Sequence, residues 1–519
     1  HVIRSMKSTG KAACILPHGV LFRGNAEAVI RQQLVKSGFL RAIIGLPANL
    51  FYGTSIAACI LILDKENSSA RKGIFMIDAR NGFKKDGPKN CLREQDLHKI
   101  IDVFTKSTDI ARYSRMVPLN EITENKNNYN LNLTRYIDSS EHDDIQNIDG
   151  HLRGGIPEFD IDRLNNYWKV IPGVRNLLFE SAGRTGFVKL KIPLVKLKTT
   201  IFQHPEFTAF NLSATNVFAK WKKDNIFQLN DFGQKSRPTQ LIKLLSENLL
   251  NKFKSIPLVD RYDLYQQLMD YWAETMQDDC YLIAGSGWKD GAQPYEVFKV
   301  KDKNNKLTWP KEPFDFTKGK RRFRSDLLPS NILIDQYFIS ERDNIELLKK
   351  NLSELELKLH DIMEENNNEE GLLFDVIEGE GDKKKITIKS INARLKEVTK
   401  DPNFTEENKA LQDYNTLLKK QTEIKDKLKI SLEDLNIKVD DKYTKLNEEV
   451  IKSLVVESKW LAYLSTAIQR ELDRVSQILT SRINELTQRY STPLPKLTKE
   501  VEELSTKVKE HLKKMGVSW

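Results

Sequence analysis

The stretch Ala12-Ala13-Cys14-Ile15-Leu16-Pro17-His18-Gly19, followed through to Asp64, decides the fold. It predicts a strand over Ala12–Leu16 and a break at Pro17-His18-Gly19. A helix follows over Ala26–Lys36, with Ala26, Val29, Ile30 and Leu34 on one face. A strand over Arg41–Leu46, a loop over Pro47–Ser55 and a strand over Ile56–Leu63 complete the unit. The two later strands are short, continuous apolar runs, the pattern of strands covered on both faces of an α/β sheet. Ala42 to Leu63 contains no charged residue, so a membrane span must be weighed. Pro47, Asn49, Gly53, Thr54 and Ser55 fall in its middle, where hydrocarbon would leave backbone groups unpaired. Two buried strands around a polar loop account for the same composition, and no membrane segment is expected.

Outward from this stretch, 519 residues give room for two or three domains. Charged residues make up 30% of the chain and the mean hydropathy is -0.50, as in a protein with much exposed helix. A net charge of +10 permits an anionic partner but is modest for this length. The four cysteines, Cys14, Cys59, Cys91 and Cys280, are widely spaced with no CxxC pair, and two of them lie inside apolar strands. That argues for a reducing, cytoplasmic setting and against both disulfides and zinc. No signal-peptide pattern opens the chain, and His1–Met6 reads as the end of a helix.

Two runs carry a resemblance. Lys11-Ala12-Ala13-Cys14-Ile15-Leu16-Pro17-His18-Gly19-Val20-Leu21-Phe22-Arg23-Gly24 resembles the later sheet strands of N6-adenine DNA methyltransferases, as does Gly45-Leu46-Pro47-Ala48-Asn49-Leu50-Phe51-Tyr52-Gly53-Thr54-Ser55-Ile56-Ala57. More narrowly, both resemble the modification subunit of a type I restriction-modification system, and the run from Trp460 to Met515 is similar to that family's carboxy terminus. The resemblance implies methyl transfer from S-adenosylmethionine to adenine N6. Such chemistry needs a glycine-rich strand-to-helix turn for the cofactor, and an Asn/Asp-Pro-Pro-aromatic motif to accept the amine's N–H groups. There is no Pro-Pro dipeptide. The only Gly-x-Gly runs are Gly285-Ser286-Gly287, after a strand-like run at Tyr281–Ala284, and Gly379-Glu380-Gly381 in an acidic loop. Both missing motifs precede the Ala12–Leu16 strand in the family, so the chain is expected to be the carboxy-terminal part of the subunit, without cofactor loop or catalytic motif.

What remains is the loop Pro47–Ser55. An enzyme acting on a base inside a duplex must extrude it, and aromatic faces replace the lost stacking. In related enzymes an aromatic of this loop packs on the adenine, and Phe51 matches by position, with Tyr52 beside it. The plainer role for both is to plug the domain core. His18 is expected to make only a structural hydrogen bond.

Further on, Gly73–Ala79 predicts a strand, Lys84–Lys89 a polar loop and Asp96–Thr105 a helix carrying Leu97, Ile100, Ile101 and Phe104. The methyltransferase sheet is expected over 1–138, and a linker over Ser139–Gly155 leads to a mainly helical middle domain over 156–330. There Lys318-Gly319-Lys320-Arg321-Arg322-Phe323-Arg324 holds five basic residues in seven and no acid, a candidate segment for tracking phosphates of double-stranded DNA, or else a loop closing on acidic neighbours.

Residues 331–519 read as long coiled-coil helices. Ile345, Leu348, Leu352, Leu355, Leu359 and Ile362 keep a heptad-like step. From Leu428 the repeat becomes eleven residues (Val439, Val450, Leu461, Leu472, Ile483), which predicts one helix to Tyr490, about 95 Å long. A last helix, Leu497 to Met515, is expected to fold back on it. The densest part of the stripe, Leu461, Leu464, Ile468, Leu472, Val475 and Leu479, is the expected docking surface. By resemblance its occupant is the specificity subunit, in an assembly with a second modification subunit and a restriction subunit. The competing reading is a non-catalytic coiled-coil scaffold or DNA- and partner-binding module. The fold expected is thus a partial, Rossmann-like α/β sheet followed by a largely α-helical region.

Overall fold

In the computed structural model, which describes residues 1–139, 145–301, 307–311, 313–368, 370–379, 384–398 and 404–516, the apolar runs near the amino terminus form one sheet. Its strands are β1 (Lys11–Pro17), β2 (Leu40–Gly45), β3 (Ala58–Asp64), β4 (Gly73–Asp78) and, after the short hairpin β5 (Lys84–Asp86) and β6 (Lys89–Cys91), β7 (Ser114–Pro118). The order is β1-β3-β2-β4-β7. β2 and β4 run parallel, and the other neighbours are antiparallel. Alternation along β2, β3 and β4 supplies two cores. Leu40, Ile43, Cys59, Leu61, Ile74 and Met76 fill one face with Leu21 and Val35. Ala42, Ile44, Phe75 and Ile77 fill the other with Ile100 and Val103. Each Val, Leu, Ile, Phe and Met among them contributes roughly 1.5–3 kcal/mol by leaving water.

The helix α1 (Asn25–Lys36) is turned away from the face expected for it. Val29 and Ile30 are both 60% exposed, while Arg31 and Val35 are buried. The cause is the Arg31 guanidinium, which donates to the carbonyls of Tyr129 (3.1 Å), Val20 (2.9 Å) and Arg23 (2.8 Å). Three charge-assisted bonds set the helix's rotation more strongly than two methyl-rich side chains. The helix α2 (Glu94–Lys106) likewise buries Ile100 and Val103 but leaves Leu97 and Ile101 exposed.

Downstream, α3 (Pro205–Asp231), α4 (Pro238–Lys252), α5 (Arg261–Tyr271) and α6 (Gln277–Gly291) precede a small sheet. That sheet pairs β8 (Tyr295–Val297), β9 (Phe316–Lys318) and β10 (Arg321–Arg324) in the order β8-β10-β9. The long helices are α7 (Ile339–Glu365), α8 (Thr405–Thr444), α9 (Glu448–Ser453), α10 (Ala462–Arg489) and α11 (Leu494–Lys514). Two compact units result, one from residues 1–225, 240–274 and 464–519, the other from 226–239 and 275–463. Residues 156–330 and 331–519 each contribute to both.

Several expectations need correction. Tyr281–Ala284 is helical, inside α6, and Gly285-Ser286-Gly287 follows within the same helix at a kink where Gly287 has φ +82. Lys84–Lys89 is a hairpin instead of a free loop. Glu380 and Gly381, and residues 140–144 of the linker, lie outside the described residues. The single helix from Leu428 to Tyr490 is interrupted. α8 ends at Thr444, and the Asn447 side chain caps α9 by accepting from the Val450 N–H at 2.9 Å. Leu454–Leu461 is then wound as a π-helix, whose wider i→i+5 turn buries Leu454, Val455, Val456, Trp460 and Leu461 together and leaves Glu457 exposed.

α7 and α8 pack as an antiparallel pair. The Tyr414 hydroxyl donates to the Leu359 carbonyl at 3.3 Å, Lys425 meets Glu356 at 3.0 Å, and Lys438 meets Glu341 at 2.6 Å. α11 does not fold back onto a stripe, since none of its residues is buried. Cys59 and Cys280 are buried free thiols, and burial pushes Cys59 up to about 11. Among the described residues no helix is long and apolar enough to cross a membrane.

Candidate functional site

The strand ends of the amino-terminal sheet converge on one rim. The His18 N–H donates to the Ala57 carbonyl at 3.0 Å, Leu46 to Ala58 at 2.9 Å, and Ala79 to Gly45 at 3.0 Å. The carboxyl ends of β1, β2 and β4 therefore lie together, the edge at which open α/β sheets hold their ligands. The loop Pro47–Ala57 leaves this rim. Asn49 and Gly53 take the left-handed region there, with φ of +57 and +79. The Asn49 N–H closes on the Ser55 carbonyl at 3.2 Å.

The β5–β6 hairpin clamps the loop from outside. Lys89 Nζ donates to the carbonyls of Phe51 (2.8 Å) and Thr54 (3.0 Å), and the Asn90 side-chain amide to that of Ala48 (2.8 Å). Phe51 is half-buried against the Ala42, Ile44, Phe75 and Ile77 core, so it braces the loop. Tyr52 is 93% exposed, and its ring is the free aromatic face at the rim.

Beside the loop sits a polar group that inspection of the sequence did not single out. The buried Asp78 carboxylate ends β4 and accepts from Arg80 Nε at 2.7 Å, a second Arg80 nitrogen at 2.6 Å and the Ser139 hydroxyl at 2.5 Å. Desolvation works to raise the pKa of Asp78, but the Arg80 and Ser139 hydrogen bonds outweigh it and hold the group below its ordinary range. His18 stands next to this pair. Burial, with the charge of Arg80, keeps its pKa below the usual imidazole value, and its Nε2 is a buried atom without a hydrogen-bond partner. The structural hydrogen bond expected of the His18 ring is not made at Nε2, and it is the backbone N–H that bonds, to the Ala57 carbonyl. The available signal was an Asp closing an apolar strand with Arg two residues on. The clamp left none, because Lys89 and Asn90 act on main-chain carbonyls far away in sequence.

The basic run forms the β9–β10 hairpin, turned at Gly319 with φ +62. Lys318 pairs with Asp440 at 2.8 Å, Arg321 with Glu296 at 3.6 Å and Arg324 with Asp326 at 2.6 Å. Arg322 lies over the rings of Trp309 (4.1 Å) and Phe314 (4.4 Å). Lys320, at the tip, is exposed. Acidic neighbours therefore engage three of the five cations.

The expected docking stripe is not an open face. Leu461, Leu464, Ile468, Leu472, Val475 and Leu479 are all at most 5% exposed. On the flank of that stripe Arg474 pairs with Asp263, and Glu471 accepts from Gln267 at 3.0 Å, so α10 packs along α5. The open apolar stripe of this region is on α11.

Residues 1–145 match the N-6 DNA Methylase family. The type I restriction enzyme MpnII methylase subunit of Mycoplasma pneumoniae is 36% identical over 139 residues, 27% of this chain and 25% of that protein. The MjaVII methylase subunit of Methanocaldococcus jannaschii is 39% identical over 153 residues, 29% of this chain and 26% of that protein. A solved type I methyltransferase subunit from Streptococcus thermophilus is 38% identical, covering 26% of this chain and 28% of that one, with a TM-score of 0.24. The chain spans about a quarter of the length of the curated relatives it matches. The resemblance carried by Lys11–Gly24 and Gly45–Ala57 is borne out: through its first 145 residues this chain is related to the N-6 DNA methylases, and its relatives are methylase subunits of type I restriction enzymes.

Proposed function

We propose that this chain serves adenine-N6 methylation of double-stranded DNA, as part of the modification subunit of a type I restriction-modification system, and that the rim loop Pro47–Ala57 contacts the extruded base. The observation that carries this reading is the clamped loop with its free aromatic face, at the carboxyl ends of the strands, within the residues that match the N-6 DNA Methylase family. An extruded adenine loses two stacking neighbours, and an exposed ring on a stiff loop restores one of them. Tyr52 presents that ring while Phe51 fixes the loop behind it. Lys320 at the tip of the β9–β10 hairpin, and Arg321 in its loose pair with Glu296 at 3.6 Å, would bind DNA phosphates. The specificity subunit, a second modification subunit and the restriction subunit are the partners of such a system.

The residues described here do not fit a cradle for S-adenosylmethionine. The one complete Gly-x-Gly run among them is embedded in α6, where it opens no strand-to-helix turn.

The test is co-expression of the chain, together with the segment that supplies the cofactor loop and catalytic motif, with the other subunits of the system, in a host whose adenines are unmethylated. Long-read sequencing should find N6-methyladenine at one discrete DNA motif. Its absence, with all proteins soluble and assembled, would remove the reading.

A further inference from the structure

Residues 293–324 hold ten Lys or Arg and six aromatic residues against four acids. β8, β9 and β10 build that run into a small sheet with two unlike faces. On one face Phe323 stacks on Phe316, with ring centroids 5.4 Å apart, and Phe316 stacks on Tyr443 of α8 at 5.7 Å. On the other face the antiparallel register sets Val297 opposite Arg322 and Tyr295 opposite Arg324. There rings and cations alternate. The Arg322 guanidinium lies between Trp309 and Phe314, and Lys299 Nζ also reaches the Trp309 ring, 5.4 Å from its centroid. A second antiparallel pair, Val300–Lys301 with Leu307–Thr308, carries Lys299 and Trp309 at its ends.

The packed rings leave others free. Phe298 is 69% exposed and Tyr295 48%, and the Tyr295 hydroxyl donates to Asp326 at 2.9 Å, which holds its ring in place. Lys301, Lys311 and Lys320 are exposed in the same run. The two acids of the run among the described residues are both engaged. Glu296 meets Arg321, and Asp315 accepts from the Ser325 and Ser330 N–H groups, each at 2.7 Å. The surface is therefore cationic and aromatic at once. An apolar protein partner would use the rings without needing the lysines. A duplex would use the lysines without needing the rings, because its bases are already stacked on one another. Only an unpaired strand uses both, its phosphates on the cations and its bases on the ring faces. We propose that this sheet binds a single-stranded nucleic acid, with bases stacked on Phe298 and Tyr295 and phosphates on Lys301, Lys311 and Lys320. The site lies outside the residues that match the N-6 DNA Methylase family, and it does not depend on the base contact proposed for the rim loop.

Fluorescence anisotropy with the full 519-residue chain tests the assignment. The probes are oligothymidylate and oligouridylate of about 20 nucleotides, longer than one such site, and a duplex of the same length. The single strands should bind at micromolar concentration. Phe298→Ala should weaken them about tenfold and leave both duplex affinity and melting temperature unchanged, because that ring is already exposed. Phe298→Trp should restore the affinity, and its indole emission should be quenched as the strand binds. Lys301→Ala with Lys311→Ala should lower the salt slope of the single strands by about 0.7 for each phosphate released. Tighter binding of the thymidylate or of the uridylate tells DNA from RNA as the source of the strand, and either supports the proposal. No binding of either strand at about 100 µM, an affinity indifferent to Phe298→Ala, or an equal loss toward the duplex would each overturn it.

Discussion

Asp78 joins the interior of the sheet to its rim. Its side chain is fully buried, and Arg80, whose own side chain is 25% exposed, answers it with two nitrogens. Because the folded carboxylate is held below its ordinary pKa, the unfolded chain takes up this proton first as pH falls. The stability it contributes is present above the ordinary Asp range, near pH 4, and is lost as pH drops through the lower folded value. Asp78→Asn should cost about 2–3 kcal/mol at pH 7, since it leaves the Arg80 charge without its partner. Denaturation at pH 7 and again near pH 3 should show the gap between variant and parent narrowing in acid. A pH-independent gap would mean that packing, not charge, is what the substitution removes. Position in the sequence placed Phe51 and Tyr52 at this rim but did not separate their roles. Adjacent aromatics in a loop carry no periodicity, and only the fold turned one inward and left the other in water.

At the scale of elements, legibility followed burial. β2, β3 and β4 were readable because they are covered on both faces and so are written as unbroken apolar runs. β7 was missed because Ser114-Arg115-Met116-Val117-Pro118 is an edge strand whose exposed positions read as loop. The eleven-residue repeat ran through the break at Lys445–Asn447, since a cap by one Asn leaves the apolar register on either side nearly intact. The β9–β10 hairpin makes a prediction that divides its five cations. Replacing Lys320 and Arg321 by Ala should weaken binding to any duplex alike and lower the salt slope by about one for each phosphate no longer neutralised. Lys318→Ala should do less, because Asp440 holds that charge at 2.8 Å, more closely than Glu296 holds Arg321 at 3.6 Å. Arg322→Ala should cost stability, of order 1 kcal/mol, through lost stacking on Trp309 and Phe314. Unchanged salt slopes for the Lys320 and Arg321 pair would assign the hairpin a purely structural role.

On the scale of the whole molecule, the sheet of residues 1–138 supplies the rim and belongs to one of the two compact units of the chain. Without a glycine-rich turn at a strand end among the described residues, the isolated chain should bind S-adenosylmethionine weakly or not at all, and calorimetry giving a micromolar constant would refute that. The central claim is that the rim loop meets the target base, and it is tested most directly by methylation mapping of two single variants in the co-expressed system. Tyr52→Ala should lower N6-methyladenine occupancy strongly, as the loss of about 1–3 kcal/mol of stacking would, with no change in melting temperature. Phe51→Ala should lower occupancy together with stability, because its ring also braces the loop on the Ala42–Phe75 core. Full methylation by the Tyr52→Ala protein, at the parent's rate, would contradict the account.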